Sequence, residues 1–251
     1  MAAGLLATLL HAHPVAAQPS SALTSDWRQD TSDRGDAYRS PQHFAAELRF
    51  GGYYPQVDDE LGGAQPFHKV FGGSPKFYIG LEFDWQALRI PYVGVIGPGL
   101  GWGYTYMSKT ALVSGTNIES GETTSLSIMP WHLSGVLRLD ELMRRTGFPV
   151  VPYAKFGVGF ATWSAATSAG VSSYQGVEGR GTTWGTHLAL GGMLALNWLD
   201  RSAAAAMDEN SGVNHAYLFG EWMDARLDGL GSRPQMHVGS SSWVLGVAID
   251  F

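Results

Sequence analysis

The stretch SWVLGVAIDF, residues 242–251, decides how the whole chain is read. Trp243, Leu245, Val247, Ile249 and Phe251 fall on one face of an extended strand. Ser242, Val244, Gly246, Ala248 and Asp250 fall on the other, because successive strand residues point to opposite sides. A full apolar stripe on a strand with an unpaired edge recruits other chains. Closing the sheet into a barrel removes the edge, and a bilayer gives the stripe apolar surroundings.

The same two-residue period recurs upstream. Phe44, Ala46, Leu48 and Phe50 alternate with Ala45, Glu47, Arg49 and Gly51. Ile79, Leu81, Phe83 and Trp85 alternate with Gly80, Glu82, Asp84 and Gln86. Leu100, Trp102, Tyr104 and Tyr106 alternate with glycines and Thr105. A fourth strand covers about residues 124–139, and its alternation slips at Met129-Pro130, which predicts a bulge. A fifth sets Ala154, Phe156, Val158 and Phe160 against Lys155, Gly157, Gly159 and Ala161. A sixth sets Trp184, Thr186, Leu188 and Leu190 against Gly185, His187, Ala189 and Gly191. A seventh covers about 215–227.

These strands predict an all-β fold: an eight-stranded antiparallel up-and-down transmembrane β-barrel with short periplasmic helices in two turns, spanning residues 42–251. Eight is the smallest common strand number for such barrels. The helices are expected at 140–146, stopped by Gly147, and at 202–210, ending at Gly212. Gly/Ser-rich connections at 53–75, 108–122, 164–181 and 228–235 are expected as outer loops. Residues 1–17 read as a signal peptide, with an apolar core at 4–10 and Val15-Ala16-Ala17 as a small-residue cleavage site. Residues 18–41 are polar and aperiodic and read as a flexible N-terminal arm.

Composition fits this reading. The chain has 33 glycines, 12% aromatic residues and only 15% charged residues. Its mean hydropathy of -0.05 is what alternating strands average to. A net charge of -6 argues against a nucleic-acid partner. No cysteine is present, so there is no disulfide or thiolate chemistry.

Alternation alone fits a soluble ligand-binding barrel too. The charged face decides against it. Glu47, Arg49, Glu82, Asp84, Arg138, Lys155, His187 and Glu221 are interleaved with glycine, as a narrow polar lumen requires, and the apolar stripes hold almost no charge. These eight residues are expected to form a paired, hydrogen-bonded lumen network. Trp85, Tyr104, Tyr106, Trp163, Trp184, Trp198 and Trp243 are expected in interfacial girdles. His43, His68, His132 and His237 are scattered and read as surface or interfacial residues and not as metal ligands.

Several stretches, GLEFDWQALRIP (80–91), GLGWGYT (99–105), VPYAKFGVGFATW (151–163), SGVNHAYLFGEWM (211–223) and SSWVLGVAIDF (241–251), resemble outer-membrane β-barrel proteins of myxobacterial and related deltaproteobacterial genomes. The resemblance implies an exported barrel in the bacterial outer membrane and no particular reaction. The final stripe (Trp243, Leu245, Val247, Ile249, Phe251) also resembles the signal read by the barrel-assembly machinery. Expected partners are therefore outer-membrane lipids and that machinery, with the extracellular ligand unidentified.

No cofactor, metal or catalytic site is expected. Residues 97–103 (GPGLGWG) lack the helix that a dinucleotide fingerprint needs. Residues 208–215 do not match a calcium loop. No nucleophile motif accompanies His187 and Glu221. The leading function is a non-enzymatic barrel serving envelope integrity, adhesion or surface recognition. The alternatives are a narrow channel or small-ligand carrier, and a lipid-modifying enzyme. Leu245→Arg is expected to impair assembly and Gly246→Ala to be milder.

Overall fold

A computed structural model describes residues 43–60, 63–112, 119–199, 201–231 and 235–251. The signal peptide (1–17) and the arm (18–41) lie outside the described residues. Eight strands build the barrel: β1 (Phe44–Tyr53), β2 (Lys76–Trp85), β3 (Gly94–Leu112), β4 (Glu119–Arg138), β5 (Val150–Thr167), β6 (Arg180–Ala195), β7 (His215–Arg226) and β8 (Ser240–Asp250). Each pairs antiparallel with its neighbours in the chain, and β8 pairs with β1 from Ala45↔Asp250 to Gly51↔Val244, so no barrel edge remains. Helices α1 (Pro66–Phe71), α2 (Glu141–Thr146) and α3 (Arg201–Ser211) sit in the connections. α2 and α3 occupy the two turns where the sequence places them. Gly147 and Gly212 take the left-handed conformation that ends each helix (φ 72° and 68°).

The strands are unequal, and the inequality organises the molecule. β1, β2, β7 and β8 have 10, 10, 12 and 11 residues. β3 to β6 have 19, 20, 18 and 16. The excess lies mostly at the loop end: the β2–β3 ladder stops at Tyr78↔Thr105 and the β6–β7 ladder at Thr186↔Arg226. The expected loop at 108–122 is therefore mostly strand. So is part of 164–181, where β5 reaches Thr167 and a small hairpin (Ser173–Tyr174 with Val177–Glu178) follows.

This extension explains the slip at Met129-Pro130, which is not a bulge. The β4–β5 register runs unbroken from Thr124↔Thr167 through Pro130↔Ala161 to Arg138↔Tyr153. On the β3 side the ladder skips the residues facing Met129 and Pro130, since proline has no N–H to donate, but resumes in the same register. The register shift lies instead between Thr110 and Leu112. What changes at Pro130 is chemistry. Below it, Trp131, Leu133 and Leu137 face outward and His132, Ser134 and Arg138 inward. Above it, Ser125 and Ser127 face outward and Leu126 and Ile128 are buried inside. The same inversion occurs on β5, where Thr162 faces outward and Trp163 inward. An apolar exterior that meets hydrocarbon can enclose a polar core. Once the wall meets water, the apolar side chains must go inside.

Candidate functional site

The lower, belted part of the barrel holds the charged lumen. On β1 and β2, Glu47 stands directly opposite Glu82, and Ala45 opposite Asp84. Neighbouring carboxylates of this kind repel unless cations sit between them. Lys155 on β5 reaches across and donates to Glu47 at 2.7 Å and Glu82 at 2.9 Å. Arg138 on β4 donates to Glu47 (2.9 Å), Asp84 (2.5 Å) and Asp250 (2.9 Å). Arg49 on β1 pairs with Glu82 and with Glu221 on β7. Tyr153 donates its hydroxyl to Glu221 at 2.8 Å. Lys155 and Arg49 are fully buried. The network spans the bore and clamps β1, β2, β4, β5, β7 and β8 together.

Above it lie two stacked imidazoles, His132 and His187, with ring centroids 3.8 Å apart. His132 Nε2 lies 3.3 Å from Glu82. His187 Nδ1 lies 3.2 Å from the Ser134 hydroxyl. His132 is thus a lumen residue and not a surface one. A bulge at Met129-Pro130 would leave the inward side of β4 undefined, whereas strict alternation from Arg138 leads to His132. A cavity of ≈ 10 Å³, on the scale of one water molecule, lies beside the pair, lined by Tyr53, Tyr78, Trp131, Met223 and Leu227 among others.

Glycines on the inner face of β3 make the room. A Cβ at Gly99 would collide with Asp84 and approach Glu82 at 3.1 Å. One at Gly101 would strike the His132 ring, and one at Gly103 the Tyr78 ring. Gly246 behaves likewise: an added Cβ would run into the Leu48 carbonyl. Gly246→Ala is therefore not a mild change, because the obstacle is backbone.

The upper bore is closed by apolar side chains. Tyr53, Phe67, Met107, Leu126, Ile128, Leu227 and Val238 are buried together there. Phe67 belongs to α1, whose first turn is capped from a distance by Asp58, accepting from the Phe67 (2.7 Å) and His68 (2.9 Å) amides. The segments beyond the β1–β8 seam are stitched side by side at the mouth: the Tyr53 hydroxyl donates to the Val238 carbonyl at 2.5 Å and the Gln56 amide to the Gly239 carbonyl at 2.9 Å. Trp163, expected in a girdle, also points inward, with its indole N–H 3.3 Å from Thr183 Oγ1. It shares parity with Lys155 and Ala161, a signal present in the sequence.

Outside, the picture is reversed. Leu81, Phe83, Leu100, Leu133, Phe156, Val158, Leu190, Leu218, Leu245 and Val247 form a continuous exposed belt, with Leu245 at 65% and Phe156 at 68% exposure. From Met129 to Leu137 the belt runs about 26 Å along β4, at roughly 3.3 Å per residue. At a tilt near 40° that is about 20 Å of height, close to the apolar band of an outer-membrane barrel. Trp85, Tyr106, Trp184, Trp198 and Trp243 ring its margins. A closed antiparallel barrel with an apolar belt outside and a paired charged core inside is an integral barrel of the bacterial outer membrane.

No protein-family model and no curated protein matches the chain. Among solved structures it is similar to Ail, the attachment invasion locus protein of Yersinia pestis, in complex with the heparin analogue sucrose octasulfate (10% identity, 84% of this chain, 97% of that one, TM-score 0.42). It is also similar to the N-terminal β-barrel domain of Pseudomonas aeruginosa OprF (10% identity, 84% and 100%, TM-score 0.38). A third is a major outer membrane protein of Thermus thermophilus (13% identity, 84% and 100%, TM-score 0.39).

Proposed function

We propose that the protein is a closed, non-enzymatic barrel that anchors its outer loops at the cell surface and contributes to envelope integrity, adhesion or surface recognition. The observation that carries this is the filled bore. Arg49, Lys155 and Arg138 cross it at successive levels, and the Tyr53–Phe67–Val238 cluster closes it above. An eight-stranded interior is just wide enough for side chains to fill. Ser134 and His187 do touch, but Ser134 is buried, and the nearby Glu82 and Glu221 engage Arg49 and Lys155 instead of orienting His187. A hydrolase would need the acid on the histidine and an open face on the serine.

The hairpin at the tip of the third outer loop fits surface recognition. Its exposed Tyr174 and Val177, with Val171 just before it, are apolar groups held out in water. The stripe on β8 is offered to the assembly machinery during insertion, in keeping with the resemblance to deltaproteobacterial barrels. Planar-bilayer recording of the purified full chain tests the closed bore. Silence is the expected result, and steady single-channel openings would replace this reading with a narrow channel.

A further inference from the structure

We infer that the rim carrying the short turns below β2–β5 binds anionic phospholipid, a proposal that rests on the barrel lying in a bilayer. Two turns meet there. The turn after β2 holds the short strand Leu88–Ile90 and Tyr92, and the turn after β4 holds Leu139, α2 and Phe148. The Arg89 guanidinium bonds the Asp140 carboxylate (2.9 Å) and ties the turns together. Arg145 bonds Glu141 at 2.7 Å and lies 4.5 Å from the centre of the Tyr92 ring. Arg144 is exposed and has no ion-pair partner among the described residues.

Beside these arginines, Leu88, Tyr92, Leu142 and Phe148 are 49–77% exposed. Their apolar surface carries the belt past the last barrel residues. Tyr92 is held in the left-handed region (φ 68°), which costs a residue with a Cβ, and its ring is the one under Arg145. The third short-side connection differs. α3 carries one arginine, Arg201, against Asp208 and Glu209, so it sums to a net negative charge beside the exposed Trp198 and Leu199. The rim is therefore basic on one side only.

Three arginines against two carboxylates leave one surplus positive charge at headgroup depth. A guanidinium matches a phosphate's paired oxygens. The apolar sole selects a lipid over free phosphate, because acyl chains cover it. A lipid with net negative charge is favoured over a zwitterionic one, whose own cation meets the arginines.

The test uses the purified full chain and native mass spectrometry. Phosphatidylglycerol and phosphatidylcholine of equal chain length compete for retention. The expected result is a preference for phosphatidylglycerol of about fivefold per uncompensated arginine. Arg144→Gln/Arg145→Gln should abolish it while keeping heat-modifiable mobility, and Arg226→Gln at the opposite rim should leave it intact. Equal retention of both lipids by the native chain would overturn the proposal. Displacement of phosphatidylglycerol by millimolar inorganic phosphate would overturn it too, since the site would then be a plain anion site. Neither result bears on the closed bore, which conductance tests separately.

Discussion

Replacing Lys155 with methionine tests the charged core directly. Methionine is unbranched and of similar length, so it fills the space the lysine stem occupied. Were Lys155 only volume, the cost would be under about 1.5 kcal/mol. The geometry says otherwise. Five buried carboxylates (Glu47, Glu82, Asp84, Glu221 and Asp250) face three cations (Arg49, Arg138 and Lys155). The formal excess is two negative charges in the native chain and three in the variant. Removing one partner of a buried ion pair costs about 3–5 kcal/mol, which is roughly two to four orders of magnitude in the folded-to-unfolded ratio.

The double variant Lys155→Met/Glu47→Gln restores the excess to two, and the amide oxygen introduced at position 47 still accepts from Arg138. It should regain at least about half of the loss, a coupling that distant residues do not show. Urea unfolding in lipid vesicles, followed by tryptophan emission and heat-modifiable gel mobility, measures all three chains. An unchanged midpoint for Lys155→Met, or a double variant no better than the single one, would refute the argument that charge pairing holds the bore.

The remaining predictions probe the belt, the glycine column and the cap. Leu245→Arg and Leu133→Lys each place a charge on the lipid face near the midplane and should cost about 2–4 kcal/mol, whereas Ser127→Lys, above the belt, should cost about 0–1 kcal/mol; the same unfolding series reads the depth dependence, and equal costs would move the belt. Gly101→Ala drives a methyl into the His132 ring and should cost about 1–3 kcal/mol. Gly192→Ala, with no atom within 4 Å of the new methyl, should be neutral in the same assay. Phe67→Ala should loosen the cap without unfolding the barrel. Surface protease should then cut within residues 54–75 of intact cells faster than in the native protein, with gel mobility retained.

The strands are legible because alternation is a local signal, and six of the eight barrel strands show it without interruption across the belt. The lumen residues are legible for the same reason: parity with Lys155 or Glu82 is enough to put a charge inside. Their pairing is not legible. That Lys155 meets Glu47 across the bore depends on barrel registers that no single strand encodes. His132 and Trp163 are misplaced by the sequence reading because a change of polarity there mimics a change of geometry. Leu126 and Ile128 look out of phase with Leu133 only if the outside is apolar along the whole strand. The capping of α1 by Asp58 is hidden for another reason, since its partners lie 9 and 10 residues away.

The inversion also bears on why the belted part has ions in its core. A strand apolar on both faces has no preferred side, and a one-residue slip in pairing costs it little. Such a strand, exposed before insertion, is also prone to aggregate. Glu47, Arg49, Glu82, Asp84, Arg138 and Lys155 remove that freedom. A slip of one residue on β1 would put Glu47 and Arg49 into hydrocarbon at about 2–4 kcal/mol for the arginine alone, and would strand their partners unpaired inside. Above the belt the water outside and Leu126, Ile128 and Met107 inside set the same register by the ordinary hydrophobic rule. One chain thus fixes its strand alignment twice, with opposite chemistry, and the changeover at Pro130 marks where its surroundings change from lipid to water.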